Sequence, residues 1–359
     1  MTQGSWNAVA QSNKLTKSIY EHLKVQDGAT INLTNKYGDV IVNTWDTDSV
    51  LIEVEITAYG KNDESLDKTM SRVYVDFNNF DDLVNISTVM DLNSSFGVEM
   101  WFSKNVASKN KVRIDYEITI PESASLFLNN KYGNVFIGDL ITKAEIKVAH
   151  GDLRIQSLKG SSKINLSFGK GHVKQLDATS LYLNNAKLDI ENAGDMRVES
   201  SASVIDIAFV QSLWLNSRND KLKVKKVRSI SGRTSFSDIS VDSMMDRVDL
   251  ILNYGDFKVN SINSNFSRVM LIGKSTGIDI SFDMGSYFSA SITGLEEKMF
   301  LTRNFIGMQK TRNEEDDTII SLNGSVGAFK PKQSNVVVTN DRGETILYLE
   351  ETGGITNKK

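Results

Sequence analysis

An acidic column is the first feature of this sequence that suggests chemistry. Aligned by the residue before an inward-facing apolar pair, one position holds Asp152, Asp189, Asp206, Asp238, Asp256 and Asp279. Carboxylates gathered along one edge supply the oxygen ligands that a hard cation prefers. Alternatively, each aspartate follows a turn and accepts hydrogen bonds from nearby backbone N–H groups. Asn134, His172 and Lys223 interrupt the column, and the glycine-rich register of calcium-binding solenoids is absent. The turn role is preferred, and no metal site or cofactor is predicted.

Two histidines offer a second possible chemistry, because His150 and His172 flank neighbouring corners of the repeat. An imidazole pair beside acids can bind a metal or work as acid and base. The chain has 3 histidines, without HxxH or HExxH spacing. Exposed turn histidines are therefore preferred, and no catalytic residue is predicted. The absence of cysteine excludes disulfides, thiolate zinc sites and cysteine nucleophiles.

Aromatic residues recur beside glycine at one corner of the repeat. The pairs are Tyr37 and Gly38, Tyr132 and Gly133, and Tyr254 and Gly255, with Phe168 nearby in register. Aromatic rows on such an edge can stack against sugar rings. More often, such rings pack over the glycine and close the turn. These six residues are therefore predicted to be structural.

Two polar rows also have preferred structural interpretations. The asparagines at one repeat position, Asn129, Asn184, Asn216 and Asn253, are predicted to form a stacked amide ladder. The stretch from Lys221 to Arg228 points lysines outward and Leu222 and Val224 inward. Its basic face could meet acidic polysaccharide or lipid headgroups. A solvated face that resists edge pairing is preferred.

The best candidate for partner binding is the stretch from Ser95 to Phe102, SFGVEMWF. Large aromatic and apolar side chains on a long loop are typical of partner-binding surfaces. We predict that Phe96, Met100, Trp101 and Phe102 contact a partner. The alternative is that Trp101 and Phe102 fold back onto the N-terminal cap and seal the first rung of the repeat.

The elements that position these residues are short strands in a repeat. Ile31 to Val42 reads INLTNKYGDVIV, and Leu126 to Ile137 reads LFLNNKYGNVFI. Each consists of two arms of alternating hydrophobicity, and weaker copies follow with a period near 18. Two short arms cannot bury an apolar face alone. Coiling stacks equivalent arms about 4.8 Å apart and pairs their backbone groups.

The sequence therefore predicts an all-β fold. It is a parallel β-solenoid of about ten short two-arm rungs with an N-terminal antiparallel cap containing one helix. The predicted divisions are a loose leader (1–18), the first strands and first repeat unit (19–45), an antiparallel insertion or cap (46–120) with a helix near 62–71, solenoid rungs (121–290), C-terminal rungs and cap (291–350) and a disordered tail (351–359).

Composition excludes several classes. The 359 residues carry a net charge of -4, which gives no basic face for nucleic acid. No apolar run of 18 residues is present, so no transmembrane helix is expected. The first residues lack the apolar core of a signal peptide. We expect that such a peptide was removed. The oligomeric state is left open.

The paired motifs resemble a known family. NKYGDV at 35–40 and NKYGNV at 130–135 are repeated in part as NYGDF at 253–257. This combination resembles bacterial envelope β-strand-repeat proteins of unknown function, often labelled adhesins. The resemblance covers about residues 19–350 and departs between Asn185 and Lys223, where the Tyr-Gly pair is lost. It implies an extracytoplasmic β-solenoid and supplies no catalytic residues.

These observations predict a non-enzymatic, adhesin-like or scaffold protein of the periplasm or cell surface. Its partner would be an envelope protein or a glycan, bound on a solenoid face or the 95–102 loop. The alternative is a polysaccharide lyase or hydrolase built on a parallel β-helix. Such enzymes need acids with lysine or arginine on one concave face, and the acidic column shows no basic partner at fixed spacing. A purely structural element is the third possibility.

Overall fold

Parallel β-strands form most of the chain in the computed structural model, which describes residues 13–80, 82–90, 112–327 and 334–350. The predicted all-β class is confirmed, and α1 (Asp63–Met70) is the one α-helix among the described residues. Two units of chain divide between Leu153 and Arg154.

The first unit contains α1 and ten described strands. They are β1 (Asn13–Lys24), β2 (Thr30–Lys36), β3 (Val40–Trp45), β4 (Ser49–Gly60), β5 (Val73–Phe80), β6 (Leu83–Met90), β7 (Val112–Pro121), β8 (Ser125–Lys131), β9 (Val135–Leu140) and β10 (Ala144–Ala149).

The two arms of the repeat form two series of paired strands in the first unit. β2 pairs in parallel with β6 and β8, and β8 pairs in parallel with β10. β3 pairs in parallel with β7 and β9. Antiparallel partners extend both series, since β5 pairs with β6, β4 with β7, and β1 with β4. The two best copies of the repeat stack directly, with Ile31 opposite Leu126 and both side chains fully buried.

The helix predicted near residues 62–71 is present as α1, and its start has a local cause. The Asn62 side chain accepts a hydrogen bond from the Ser65 backbone N–H at 3.0 Å, and the Ser65 hydroxyl accepts one from the Asn62 N–H at 3.3 Å. This capping box satisfies two N–H groups that an isolated helix end leaves open. Leu66 is the buried apolar residue of the helix.

One boundary of the predicted leader was wrong. Residues 14–18 were expected to be loose, but they belong to β1, which pairs with β4 from Asn13 to Lys24. Their side chains are exposed, so no apolar alternation marks the strand. The ladder of backbone hydrogen bonds to β4 holds β1 in place instead.

The second unit is a longer succession of strands. They are β11 (Leu153–Leu158, starting at the boundary), β12 (Ser162–Ser167), β13 (Lys170–Asn184), β14 (Lys187–Ser201), β15 (Val204–Arg218), β16 (Lys221–Ser235), β17 (Asp238–Ile262), β18 (Arg268–Phe282), β19 (Phe288–Leu295), β20 (Met299–Leu301), β21 (Gln309–Arg312), β22 (Ile319–Val326), β23 (Ser334–Asn340) and β24 (Thr345–Leu349). Short 3-10 helices occupy Glu296–Lys298 and Arg303–Phe305.

A 17-residue register defines the central part of this unit. Lys170 pairs with Lys187, and Lys187 pairs in turn with Val204. The same step joins β15 to β16 and the first part of β16 to β17. We call each such set of strand segments a rung. Leu188, Ile205 and Leu222 point inward on successive rungs and are at most 3% exposed, so equivalent aliphatic side chains form a stacked core.

Polar side chains also enter this core at the corners after β14, β15 and β16, where Ser203, Asp220 and Ser237 are buried. Asp220 is 2% exposed. Its Oδ1 accepts the Ser203 N–H at 2.7 Å, and its Oδ2 accepts the Ser200 and Ser217 hydroxyls at 2.6 and 2.7 Å. The Ser237 hydroxyl accepts the Asp220 N–H at 3.1 Å. Burial of this carboxylate is tolerated because several donors replace water.

The C-terminal strands return to the stack. β18 pairs in parallel with β23 and β24, although about sixty residues separate them in sequence. β19 pairs in parallel with β23 and antiparallel with β22, which also pairs antiparallel with β21. The region near 304–317 contains β21 and part of a 3-10 helix. Both are too short to produce a sequence pattern.

Candidate ligand groove

A groove of about 290 Å³ crosses rungs of the second unit. Charged side chains form its walls: His172, Asp189, Glu191, Asp206, Lys223, Lys225 and Asp242. Between these walls run the strand segments that contain Ile190, Ile207, Ala208 and Val224, of which Ala208 is partly exposed, whereas the other three side chains face the core and are at most 2% exposed. We call these residues, together with Ser240, the charged groove. A concave surface on which a few charged groups converge is a candidate ligand site.

The pairing of adjacent strands places the residues of one wall of the groove in a single row across the rungs. His172 pairs with Asp189, Asp189 with Asp206, Asp206 with Lys223, and Lys223 with Ser240. Neighbouring positions are one strand spacing apart, about 4.8 Å. Charge therefore changes sign along the row, from two carboxylates to an ammonium group.

The second wall lies two residues further along each strand. Ile190, Ile207 and Val224 are paired in succession, as are Asn192, Phe209 and Lys226. The residues between these positions form a column of Glu191, Ala208 and Lys225. Ala208 is the smallest side chain in the column, and it leaves a gap between a carboxylate and an ammonium group.

Ion pairs in the groove are few. His172 Nε2 lies 3.2 Å from Glu191 Oε1. Lys187 Nζ lies 3.8 Å from Asp189 Oδ1 and 3.9 Å from Asp206 Oδ2, and each of these side chains is more than a third exposed. Contacts this long and this exposed contribute little to stability. Both carboxylates thus stay accessible to a ligand.

Lys223 and Lys225 form no ion pair with any residue that the structure describes. Both are exposed, and the buried Val224 between them anchors the strand. Asp206 is the register partner of Lys223, yet their charged atoms do not meet as an ion pair. Two ammonium groups on one rung are therefore available to an anion.

The alignment of the internal repeats did not predict this groove, for two reasons. The acids were expected to have no basic partner at fixed spacing, but Lys223 and Lys225 lie in the same groove as Asp189 and Asp206. It also placed Asp238 in the acidic column. Asp238 pairs with Lys221, and Ser240 takes the position opposite Lys223. A shift of two residues keeps every side chain on its face, so alternation cannot detect it.

The predicted amide ladder is also wrong in its membership. Asn129 pairs with Lys147 and Asn216 pairs with Arg233, so these two do not stack on an asparagine. Buried asparagines stack elsewhere, where Asn35 lies opposite Asn130 in the first unit. Their amide Nδ2 groups donate to the Gly38 carbonyl at 3.3 and 3.1 Å. The NKYG motif carries both residues, and that repetition was the available signal.

The aromatic corner residues stack on each other, whereas the sequence favoured packing over glycine. In the first unit, the Tyr37 and Tyr132 ring centroids are 5.3 Å apart, and Tyr132 and His150 are 4.9 Å apart. In the second unit, Phe236 and Tyr254 are 4.8 Å apart. The strand spacing matches a ring-stacking distance, which explains these ladders.

Backbone conformation sets this corner. Tyr37, Tyr132 and Tyr254 have φ values of 70°, 60° and 60°, in the left-handed region. The following glycines face backbone closely, since a Cβ on Gly133 would lie 1.8 Å from the Gly38 carbonyl oxygen. A Cβ on Gly38 or Gly255 would likewise lie 1.9 or 2.2 Å from a carbonyl oxygen.

The remaining sequence candidates are placed as follows. His150 stacks on Tyr132 in the first unit, whereas His172 contacts Glu191 in the second. Phe96, Met100, Trp101 and Phe102 lie outside the described residues. Within the described ranges, no three His, Asp or Glu side chains form a cluster suited to a metal. A search of the same ranges finds no helix with the length and hydropathy of a membrane span.

Similar structures are known, whereas no protein-family model and no curated protein matches this chain. A candidate adhesin from Bacteroides fragilis is 17% identical, with a TM-score of 0.32 over 74% of this chain and 97% of that one. A candidate cell adhesion protein from Clostridium sporogenes is 11% identical, with a TM-score of 0.20 over 93% and 98%. A candidate lipid-binding protein from Parabacteroides distasonis is 11% identical, with a TM-score of 0.29 over 74% and 95%.

Proposed function

We propose that this chain is a non-enzymatic, adhesin-like binding protein that recognises a charged component of the bacterial envelope through the charged groove. The observation that carries this proposal is the pair of accessible lysines beside accessible carboxylates in one groove. Residues on paired strands are held by the backbone ladder, so a ligand meets groups that are already positioned.

A coiled chain is part of the same proposal. The 17-residue register supports a parallel β-solenoid, in which every turn adds one rung and the groove crosses successive rungs. An extended and repetitive surface suits an extended partner such as a glycan. We place the protein outside the cytoplasm, where such partners are found.

Binding to purified envelope glycans tests the proposal. Among immobilised acidic, neutral and phosphorylated glycans, a charged glycan should retain the protein and a neutral one should not, and Lys223→Glu should weaken retention by about tenfold or more. The control is Lys226→Glu, which makes the same charge change on the same strand outside the groove. Retention of none of these glycans, or equal losses in both variants, would overturn the proposal.

A polysaccharide-cleaving enzyme is the second candidate. The adjacency of Asp189 and Asp206 favours it, because paired carboxylates are the catalytic groups of glycoside hydrolysis. Incubation with acidic and neutral polysaccharides should release no new reducing ends and no unsaturated product if the binding function is right. Product release that Asp206→Asn abolishes would establish the enzyme instead.

A further inference from the structure

We infer that the charged groove binds a compact zwitterion of the phosphoethanolamine class, with its phosphate at Lys223 and Lys225 and its ammonium group at Asp189 and Glu191. This inference rests on the proposed binding function and specifies the chemistry of the ligand. Three features of the groove carry it: the unpaired lysines, the carboxylates on the opposite side, and the gap at Ala208.

The anionic end is assigned by the two lysines. Lys223 and Lys225 are alternate residues of β16 on either side of Val224, and both line the groove. Neither forms an ion pair with a residue in the described ranges. A phosphate, which has several oxygens and up to two negative charges, can accept hydrogen bonds from both ammonium groups.

The cationic end is assigned by the carboxylates two rungs away. Asp189 and Glu191 are alternate residues of β14, on either side of the buried Ile190. In the structure, Glu191 forms an ion pair with His172, and Asp189 forms one with Lys187 at 3.8 Å. All four side chains are exposed to solvent. A ligand ammonium group can donate to both carboxylates and displace the longer contact.

Ala208 supplies the space between the two ends. Glu191 and Lys225 lie two strand spacings apart, roughly 9.6 Å between their Cα atoms. Ala208 lies between them and is partly exposed, whereas the Ile207 side chain faces the core. The short carbon link of a zwitterion would lie over the Ala208 methyl group, and the 290 Å³ groove has room for such a molecule.

The balance of charge argues against simpler ligands. Asp189, Glu191, Asp206 and Asp242 line the same groove as the lysines. They would repel a polyanion that tried to follow the groove along successive rungs. A plain amine would leave both lysines without a counter-charge. A molecule with one charge of each sign can place its anionic group at the lysines and its cationic group at Asp189 and Glu191.

Calorimetric titration of the full chain with O-phosphoethanolamine tests the inference. The zwitterion should bind at least about tenfold more tightly than inorganic phosphate or ethanolamine alone. Ala208→Leu should abolish binding by filling the gap, whereas Ala178→Leu, on an exposed site outside the groove, should not. Glu191→Gln should remove the preference for the zwitterion over phosphate. Thermal unfolding of each variant checks that the fold is kept.

Vesicles distinguish a free ligand from a lipid headgroup. Flotation with phosphatidylethanolamine vesicles but not phosphatidylcholine vesicles would assign the headgroup, because only the former has a primary ammonium group. Binding of the soluble compound alone would assign a free ligand, and both outcomes support the zwitterion. Equal affinity for phosphate and O-phosphoethanolamine, or unchanged binding in Ala208→Leu, would overturn the inference. Glycan retention that persists in that case would leave the proposed function standing.

Discussion

Backbone contact at single residues determines which side chains the corner of a rung accepts. In the first unit, Gly38 and Gly133 follow left-handed tyrosines and stack so closely that a methyl group on Gly133 would overlap the Gly38 carbonyl. The neighbour is backbone, which cannot rotate away. Glycine is therefore required here by packing, in addition to the turn.

This contact predicts a large effect of one methyl group. Gly133→Ala should lower the free energy of unfolding by about 2 kcal/mol or more, because the Cβ would lie 1.8 Å from a carbonyl oxygen. Gly138→Ala is the matched control, since its Cβ would meet its nearest neighbour at an ordinary 3.5 Å. Urea unfolding measures both, and equal stabilities would show that the corner can relax.

The sequence predicted these corner residues more readily than the groove residues. The Tyr-Gly pairs recur in conspicuous motifs, so their shared position could be recognised by inspection. Asp189, Asp206 and Lys223 were also aligned in one row, as the register has them. Their joint role was missed because Ala208, whose small size opens the gap, carries no signal of its own in sequence.

At the scale of elements, the polar residues that cap a helix locate its start more closely than the hydrophobic pattern does. The helix α1 was predicted near residues 62–71. The structure shows the Asn62 and Ser65 capping box at its start. By contrast, β1 was missed at its N-terminal half, where exposed residues pair through backbone alone.

The cap gives an element-scale prediction. Asn62→Ala should cost about 1 kcal/mol, because the Ser65 N–H loses its side-chain acceptor. Asn79→Ala, at an exposed strand residue, should change stability by less than about 0.5 kcal/mol. Thermal unfolding followed by circular dichroism compares the two. A neutral Asn62→Ala would mean that packing of Leu66 alone fixes the helix start.

At the scale of the whole molecule, the sequence repeat produces the fold by stacking equivalent strands, and the same stacking brings the groove residues together. A repeated apolar pattern predicts stacked strands, because each short arm needs neighbours to bury its face. The pattern does not determine which residues are adjacent, since shifts of two residues preserve the buried face. Paired residues are 17 apart from β13 to β16, whereas Arg247 of β17 and its partner Arg268 of β18 are 21 apart. The number of residues in the corners between strands sets this spacing.

The central claim is that residues 17 apart lie side by side on parallel strands, which is what brings the groove together. Spin labels measure this directly, because the chain has no native cysteine. The pair Asn216→Cys and Arg233→Cys lies in register on exposed positions, about one strand spacing apart. We predict strong spin exchange for this pair and only dipolar broadening for Asn216→Cys with Ile251→Cys, one rung further away. A 216/233 spectrum equal to the sum of the two single-label spectra would contradict the parallel register and the groove that depends on it.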